Sequence, residues 1–339
     1  MRSARVIIVA AIASILLASC SPTTQSLSSG PTITATPTLN INDALANAAC
    51  TSTSCIALST SQFGSGEQYS DSSKTWTPLG LPETALQVSA SSCWTTGCLI
   101  AGSTATSQFL WKYISGYVSA LQSPTSLQTI QSINCFAANT CAAVGFNPSS
   151  SSLEMLYSHD AGATWTSPAT LPTALSVTGK ISLSCDEANN CLVSGSSRSG
   201  SSALLFATHD AGVTWLQRTI NPSWSTIHSL SCSALKCISA MTDSTGNSFV
   251  LRTNTYGRIW KKVSSSNSAV TAMSCANLST CVVVGTNKTS GPWLETWQNG
   301  VLVVNKLNYV TTPFNDVACL PTKCVVVGNT NVATVPFSS

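Results

Sequence analysis

The sequence predicts an all-β fold, a seven-bladed β-propeller of four-stranded antiparallel blades, and a repeated unit leads to this prediction. Cysteines occur in close pairs, and the first members of successive pairs lie 43, 42, 50, 47, 43 and 44 residues apart. Each unit holds four short apolar runs separated by polar turns, and helical periodicity is nowhere sustained. Repeats of about 40 to 50 residues built from short strands are typical of propeller blades. Seven cysteine pairs therefore indicate seven blades.

One unit shows the pattern most clearly. Its four predicted strands are Lys180–Cys185, Cys191–Gly195, Ala203–Thr208 and Thr214–Thr219. The second strand is the most regular, and in five units it reads CLIAG, CAAVG, CLVSG, CVVVG and CVVVG. Its continuous apolar character indicates that both faces are covered, as in a blade packed between two neighbours. We expect the closing glycine to allow a bend where the chain leaves the sheet.

Residues 1–19 form a predicted signal peptide. Arg2 and Arg5 precede an apolar core at residues 6–17 that is too short for a comfortable transmembrane span. The segment ends Leu-Ala-Ser-Cys at Cys20, which resembles the bacterial lipobox, whose cysteine becomes the lipid-modified first residue. The resemblance implies an anchor of two or more acyl chains, which stable attachment requires. The alternative is an ordinary signal peptide with an incidental cysteine.

The anchor implies an extracytoplasmic location on a bacterial membrane, at the cell surface or in the periplasm. Residues 20–40 are uncharged and rich in Ser, Thr and Pro, so we expect a tether between the membrane and the propeller at residues 41–339. The last unit has room for about three strands, whereas the first already has four. A segment within residues 32–40 is therefore expected to supply the outer strand of the last blade.

The cysteine count supports a disulfide in every blade. Fifteen is odd, but setting Cys20 aside leaves fourteen residues in seven pairs. The pairs are Cys50/Cys55, Cys93/Cys98, Cys135/Cys141, Cys185/Cys191, Cys232/Cys237, Cys275/Cys281 and Cys319/Cys324. The C-x2-C spacing of zinc and redox sites is absent, and exported proteins favour disulfides. We expect each pair to join strands one and two by clipping the turn between them, and we expect no metal or cofactor.

Charge is scarce. Only 8% of residues are charged, against about 25% in an average soluble domain. Removing residues 1–19 leaves 13 basic and 12 acidic residues. This near-neutral balance predicts no electrostatic attraction to an acidic partner and no nucleic-acid binding. We expect a monomer.

Two segments share the pattern S/T-x-D-x-G-x-T-W between the third and fourth strands. Its positions are filled by Ser158, Asp160, Gly162, Thr164 and Trp165, and again by Thr208, Asp210, Gly212, Thr214 and Trp215. The pattern resembles the Asp-box (BNR) repeat of the sialidase-like propellers, which include photosystem II assembly-factor-like proteins and some xyloglucanases. As a repeat pattern, the resemblance covers residues 42–339. Residues 69–76 and 253–260 match it only in part.

The resemblance implies a structural role for these boxes. The Asp accepts backbone N–H bonds, the Gly supplies a positive φ, and the Trp inserts between neighbouring strands or blades. His159 and His209 occupy the free second position, where we expect solvated side chains. With His228 alone on a first strand, no metal-binding or nucleophilic constellation emerges.

The topology of a four-stranded blade assigns function to one face. Turns one-to-two and three-to-four share a face, so the disulfides and boxes lie together, and the opposite face carries the remaining loops. The candidate binding residues predicted in those loops are Phe146, Arg198, Trp224, Asp243, Lys288 and Trp293. Such residues suit protein or sugar recognition. The alternative is that Trp224 and Trp293 fill gaps between blades.

The residues needed for catalysis are not evident. The family's sialidases use three arginines, a Tyr–Glu pair and an acid Asp, but Arg218, Arg252 and Arg258 fall on or beside outer strands and box turns. Glu83, Glu154 and Asp243 are loop carboxylates from different blades, and we expect exposed solubilising charges. The sequence therefore favours a membrane-anchored binding or scaffold module for a protein or glycan. The alternatives are a sialidase- or xyloglucanase-like hydrolase, or an assembly factor for a membrane complex.

Overall fold

The computed structural model describes most of the chain from residue 45 onward and two short segments before it. The described residues are 28–29, 33–37, 45–59, 66–73, 75–82, 87–104, 106–176, 179–186, 190–200, 202–266, 268–287, 289, 291–298, 301–305, 307–308, 312–329 and 331–337. Cys20, Glu83 and Lys288 lie outside them.

Within these residues the chain forms seven sheets that are the blades of a propeller, which confirms the predicted fold. Two strands precede the first blade, β1 (Ser28–Ser29) and β2 (Ile33–Pro37). Blade 1 consists of β3 (Leu45–Cys50), β4 (Ser54–Ser59), β5 (Gly66–Ser70) and β6 (Thr75–Pro78). Blade 2 consists of β7 (Gln87–Cys93), β8 (Gly97–Ser103), β9 (Gln108–Ile114) and β10 (Tyr117–Leu121). Blade 3 consists of β11 (Thr129–Ala137), β12 (Thr140–Asn147), β13 (Ser152–Ser158) and β14 (Thr166–Thr170).

The remaining blades repeat this order. Blade 4 consists of β15 (Ser182–Cys185), β16 (Cys191–Ser196), β17 (Ala203–Thr208) and β18 (Leu216–Gln217). Blade 5 consists of β19 (Trp224–Ser233), β20 (Lys236–Asp243), β21 (Ser248–Thr253) and β22 (Lys261–Ser266). Blade 6 consists of β23 (Ala269–Asn277), β24 (Thr280–Thr286), β25 (Pro292–Gln298) and β26 (Val301–Val304), with β1 parallel to β26. Blade 7 consists of β28 (Phe314–Cys319), β29 (Lys323–Gly328), β30 (Asn331–Pro336) and β2, with the short β27 (Leu307–Asn308) parallel to β2 at the outer edge.

Seven disulfides join the first two strands of each blade, one per blade, as the sequence predicts. The bridges are Cys50–Cys55, Cys93–Cys98, Cys135–Cys141, Cys185–Cys191, Cys232–Cys237, Cys275–Cys281 and Cys319–Cys324. The two cysteines of each bridge are direct cross-strand neighbours, as in the pairing of Cys185 with Cys191. Each bridge therefore clips one hairpin and crosses no blade boundary. Seven bridges indicate an oxidising, extracytoplasmic environment.

The second cysteines of the bridges lie in the core, a placement that their spacing in the sequence does not show. Each second cysteine lies at or near the start of a second strand and packs into the apolar cluster shared with the preceding blade. Six of them are 0% exposed, namely Cys55, Cys98, Cys141, Cys191, Cys281 and Cys324. Since second strands are covered on both faces, these sulfur atoms belong to the core. These six cysteines are therefore structural residues.

The core lies between the blades, and each second strand contributes to two clusters. Val282 and Val284 pack toward blade 7 with Val326, whereas Val283 packs toward blade 5 with Val250. This alternation follows the two-residue period of a strand. It explains why the second strands are apolar at every position.

The closing glycines of the second strands have a different role from the bend that we expected. A Cβ on Gly102, Gly145 or Gly285 would lie far inside van der Waals contact with a carbonyl oxygen of the first strand. The first strand of each of these blades carries an irregularity just after that carbonyl, as between Val270 and Ala272. The bulge brings the first strand close to the second, and only a residue without a side chain fits there.

The last and first blades are joined by polar contacts. The Ala48 N–H donates to Asp316 Oδ2 at 2.9 Å, and Lys323 forms an ion pair with Asp71. Lys323 Nζ also donates to the Tyr69 hydroxyl at 2.7 Å. Strand β2 runs antiparallel to β30, with Ala35 opposite Ala333. Blade 7 therefore contains a strand from the amino-terminal side of the chain.

Candidate functional site

One face of the disc carries the disulfide turns together with the turns between third and fourth strands, and we call it the clip face. Backbone hydrogen bonds join the two turns of a blade, from Ala161 N to Asn139 O at 2.8 Å in blade 3 and from Tyr256 N to Leu235 O at 2.9 Å in blade 5. The opposite face, which we call the loop face, carries the hairpins between second and third strands.

The two aspartates of the S/T-x-D-x-G-x-T-W turns hold those turns together. Asp160 Oδ1 accepts hydrogen bonds from Thr164 N and Ser158 Oγ, both at 2.8 Å, and Oδ2 accepts one from Thr164 Oγ1 at 2.6 Å. The same contacts surround Asp210, and in both turns the threonine bonds lower the pKa of the carboxyl to about 2. Both carboxylates therefore accept hydrogen bonds from within their own turns, which is a structural role.

The glycine and the tryptophan of each turn also have structural roles. Gly162 and Gly212 have φ of 85° and 84°, which glycine adopts without strain. Trp165 and Trp215 pack into the apolar clusters between neighbouring blades. In blade 5 a threonine hydroxyl takes the place of the missing carboxylate, because Ile259 N donates to Thr255 Oγ1 at 3.0 Å.

The aromatic residues that we expected in loops of the loop face lie in strands instead. Trp293 is in β25, is 8% exposed and packs between blades 5 and 6. Phe146 in β12 and Trp224 in β19 are half-buried against interblade clusters. The gap-filling alternative therefore describes Trp293, because burial of a large apolar surface stabilises the junction of two blades.

The polar members of the predicted set are exposed or bound in turns. Arg198 is exposed in the hairpin between β16 and β17. Asp243 pairs with Trp224 across β19 and β20, and it accepts bonds from Thr245 N and Asn247 N at 2.9 Å. Of the candidate binding residues that the structure describes, Trp224 and Asp243 are the pair that these contacts bring together.

Glu154, which we expected in a loop, lies in β13 and is held within its hairpin. Its Oε1 accepts bonds from Asn147 Nδ2 at 2.7 Å and from Ser150 Oγ at 3.1 Å. Glu154 therefore stabilises its hairpin and is not the free solubilising charge that we expected.

A second departure from expectation concerns His209, which is more than a solvated turn residue. Its Nε2 lies 3.0 Å from Arg218 Nη2, and its Nδ1 lies 2.8 Å from Asn190 Oδ1. Because a guanidinium can only donate, Nε2 accepts and Nδ1 carries the proton that is donated to Asn190. The turn histidine thus fixes an arginine beside the junction of blades 4 and 5.

The central channel is surrounded by the first strands and contains charged groups. Lys180 Nζ donates to Thr271 O at 3.3 Å, reaching from blade 4 to blade 6 past His228 of blade 5. Burial, and then the charge of Lys180, lower the pKa of His228 to about 4. Burial raises the pKa of Asp316 to about 6. His228 therefore has a charged neighbour that its isolated position in the sequence does not show.

The channel opens on the clip face into a cavity of about 610 Å³. Four first-strand cysteines line it, from blades 3 to 6, and Asp186 is the acidic residue in its wall. Asp186 accepts hydrogen bonds from the backbone and side chain of Asn190, so its carboxylate is bound within a turn.

A larger groove of about 1320 Å³ lies on the clip face between blades 5 and 6. Arg252, Lys261 and Ile259 line it from blade 5, and Leu278 and Trp297 line it from blade 6. No Asp or Glu is among the described residues of its wall. We expected the clip face to be structural alone, so sequence reasoning missed this groove. Its shape follows from how adjacent blades pack.

A local signal for the groove was nevertheless present in the sequence. Between residues 218 and 262 there are six basic residues and one acidic residue. The near-neutral total charge of the mature chain does not show this local excess of basic residues.

The described part of the chain offers neither a metal cluster nor a membrane-spanning helix. It contains no group of three or more His, Cys, Asp or Glu side chains arranged to hold a metal ion. Among the same residues, no helix has the length and apolar character that crossing a bilayer requires.

Comparison with known proteins shows a shared fold. No protein-family model matches the chain, and no curated protein sequence matches it. The structure of YCF48 bound to D1 peptide matches with a TM-score of 0.64 and 12% identity over 92% of this chain and 97% of that one. The GH74 xyloglucanase of Xanthomonas campestris matches with a TM-score of 0.63 and 11% identity, over 90% of this chain. This chain spans 54% of that enzyme.

A third match is PorZ of Porphyromonas gingivalis, a bacterial surface component of the type-IX secretion system. It has a TM-score of 0.58 and 14% identity, and this chain spans 38% of it. What these proteins share with this chain is the fold. At such identities the propeller framework is common, and function depends on the residues placed on it.

Proposed function

We propose that this protein is a binding or scaffold module whose ligand is another protein, and that a lipid on Cys20 holds it on the extracytoplasmic face of a bacterial membrane. The observation that carries the proposal is the groove between blades 5 and 6. It is open, it spans about 1320 Å³, and Ile259 at its edge is 62% exposed. Exposed apolar side chains at a recess are typical of protein interaction sites.

The distribution of carboxylates supports binding over hydrolysis. Glycosidases need two carboxylates that flank the scissile bond. The groove has no acidic residue in its described wall, and Asp186 is the single acidic residue in the described wall of the channel mouth. Asp243 and Glu154 are engaged in hairpin turns. A glycoside hydrolase remains the alternative.

The comparisons support a protein ligand in a limited way. In one similar structure YCF48 is bound to a D1 peptide, so a propeller that matches 92% of this chain binds a peptide. PorZ is a bacterial surface component, which is compatible with an extracytoplasmic location. The anchor is supported by the Leu-Ala-Ser-Cys segment at residues 17–20 and by the disulfides of an exported chain.

Crosslinking in native membranes followed by affinity capture of this protein tests the proposal. We expect one or a few specific partners, captured from the membrane fraction. Replacing Cys20→Ser should move the protein out of that fraction and abolish incorporation of labelled palmitate. Capture of no specific partner, together with turnover of sialosides or polysaccharides that Asp243→Ala or Glu83→Ala abolishes, would favour the hydrolase instead.

A further inference from the structure

We propose that the groove between blades 5 and 6 is the docking site for an acidic segment of the partner protein that also carries apolar side chains. This inference rests on the proposed function and adds the chemistry of the ligand and the residues that bind it. Three independent features of the groove lead to it, namely its charge, its cross-strand pairing and its apolar surface.

Three basic residues, Lys236, Arg252 and Lys261, line this groove, and they belong to a basic segment of the sequence. Residues 20–339 contain 13 basic and 12 acidic residues, and residues 218–262 hold 6 of the former and 1 of the latter. The rest of the mature chain therefore has 7 basic and 11 acidic residues. The six cations are Arg218, Lys236, Arg252, Arg258, Lys261 and Lys262. A nearly neutral protein thus carries one strongly positive region, which attracts anionic groups.

Two of these cations face each other across a sheet. Arg252 in β21 and Lys261 in β22 are register partners, both are exposed, and both line the groove. Like charges directly opposite each other on neighbouring strands destabilise a sheet. Among the described residues, no carboxylate lies within ion-pair distance of either one. Carboxylates of a bound ligand would relieve this repulsion.

The positive region extends along blade 5 toward blade 4. Arg258 follows the blade 5 turn, and its charge, after burial, contributes to lowering the pKa of Arg218. Arg218 is held by His209, a neutral acceptor. The two guanidinium groups are thus positioned near each other.

Apolar side chains accompany the cations. Ile259 is 62% exposed and Leu235, beside the groove wall, is 54% exposed. Leu278 and Trp297 line the side formed by blade 6, and Trp297 is 3% exposed. Trp297 is thus a buried floor to the groove, whereas Ile259 and Leu235 present apolar surface to a ligand. Apolar contacts give affinity, and the surrounding charges select an acidic partner.

The recess favours a polypeptide over the other anionic macromolecules. A lipid headgroup surface is broad and cannot enter a groove that reaches Trp297 between two blades. A sulfated glycan would satisfy the cations but would leave Ile259 and Leu235 without apolar partners. An acidic, apolar peptide segment satisfies both kinds of residue.

Lys261→Glu separates binding from stability. It places a carboxylate opposite Arg252, so we expect an equal or higher Tm. The same substitution should weaken the binding of an acidic ligand, because it replaces a positive charge in the groove wall with a negative one. The matched control is Lys112→Glu, which reverses the charge of a partly exposed lysine in β9 of blade 2, outside the groove wall.

The probe is a library of random 12-residue peptides displayed on phage and selected on the purified full-length protein. We expect enriched peptides rich in Asp and Glu with interspersed apolar residues. Fluorescence anisotropy with one enriched peptide should show at least a tenfold loss of affinity for Lys261→Glu and less than a twofold change for Lys112→Glu. Ile259→Ser should also weaken binding at least threefold.

Several results would overturn the inference. Enrichment of neutral or basic peptides, no enrichment, or equal peptide binding by Lys261→Glu would do so. Binding only to heparin or to phosphatidylglycerol vesicles would identify a different anionic ligand. If membrane crosslinking captures a partner and Lys261→Glu still captures it, the groove is not the site although the proposed function stands.

Discussion

At the scale of the residue, the environment of each carboxylate decides its chemistry more than its position in a repeat. Asp160 and Asp210 are exposed, and hydrogen bonds from threonines lower their pKa to about 2. Glu295 is 4% exposed between blades 5 and 6, and burial raises its pKa to about 7. The first two stabilise the fold when ionised, whereas the third stabilises it when protonated.

The turn aspartates predict a selective response to acid. Their folded pKa lies below the ordinary value of 3.8, so their contribution is present above that value and is lost as the pH falls through about 2. We expect the Thr164 and Thr214 amide protons to lose protection from hydrogen exchange over this range. The Ile259 amide is the internal control, because a hydroxyl holds it. Equal responses of all three amides, measured by NMR, would contradict this assignment.

Glu295 predicts the opposite pH dependence. Because its folded pKa is raised from 4.5 to about 7, its contribution is fully present below 4.5 and is lost as the pH rises through about 7. Glu295→Gln should remove this loss while keeping the side-chain shape. The free energy of unfolding of the variant, relative to the natural protein, should increase by up to about 3 kcal/mol between pH 4.5 and 7.5. Urea titrations at the two pH values measure it, and parallel behaviour of both proteins would refute the prediction.

At the scale of the element, a blade is defined by how its first two strands meet. The disulfide clips one end of this hairpin, and by chain entropy each small loop contributes about 2 kcal/mol. At the other end, the first strand bulges toward a glycine in blades 2, 3 and 6. Blade 5 has Met241 at the corresponding position, and its first strand carries an additional irregularity between Trp224 and Thr226.

The glycine requirement leads to a matched pair of substitutions. Gly285→Ala places a Cβ against the carbonyl of Ala269, so either strand must move. We expect a loss of about 1–3 kcal/mol, as in other overpacked sites, seen as a lower Tm. Gly80→Ala is the control, because a Cβ there meets nothing within 4 Å. A Tm for Gly285→Ala equal to that of the control would show that the close approach relaxes freely.

At the scale of the whole molecule, the ring depends on the junction between the last and first blades. Asp316 and Lys323 bind residues of blade 1, and β2 pairs with β30. Propellers protect the edges of their sheets by closing the ring, so a strand that completes the last blade should matter more than its five residues suggest.

Deleting residues 33–37 tests this importance. We expect the Tm to fall by at least about 5 °C, because blade 7 would lose its fourth strand, β2, which also holds β27 in the sheet. Deleting residues 21–25, from the segment that the sequence predicts to be a tether, should leave the Tm within about 1 °C. If both deletions have the same effect, the pairing of β2 with β30 does not stabilise the ring.

The sequence was sufficient for the blade and insufficient for the site. Cysteine spacing, the apolar second strands and the turn motif act within about 45 residues, so they predicted the strands, the clips and the number of blades. The closing glycines can be read from the sequence, but the reason why glycine is required there is a bulge in the first strand, which the sequence does not show. Loop positions for Phe146, Trp224 and Trp293 were wrong, because short strands extend further toward the loop face than periodicity indicates.

What the sequence by itself determined is therefore the repeated architecture, because each blade is stabilised by contacts that recur at a fixed local spacing. The tertiary structure alone decided which surface is open. Lys261 and Trp297 lie on different blades, and they line one groove only because blades 5 and 6 pack side by side. The basic residues of the segment 218–262 can be read from the sequence. Their position beside exposed apolar side chains results from the packing of the two blades.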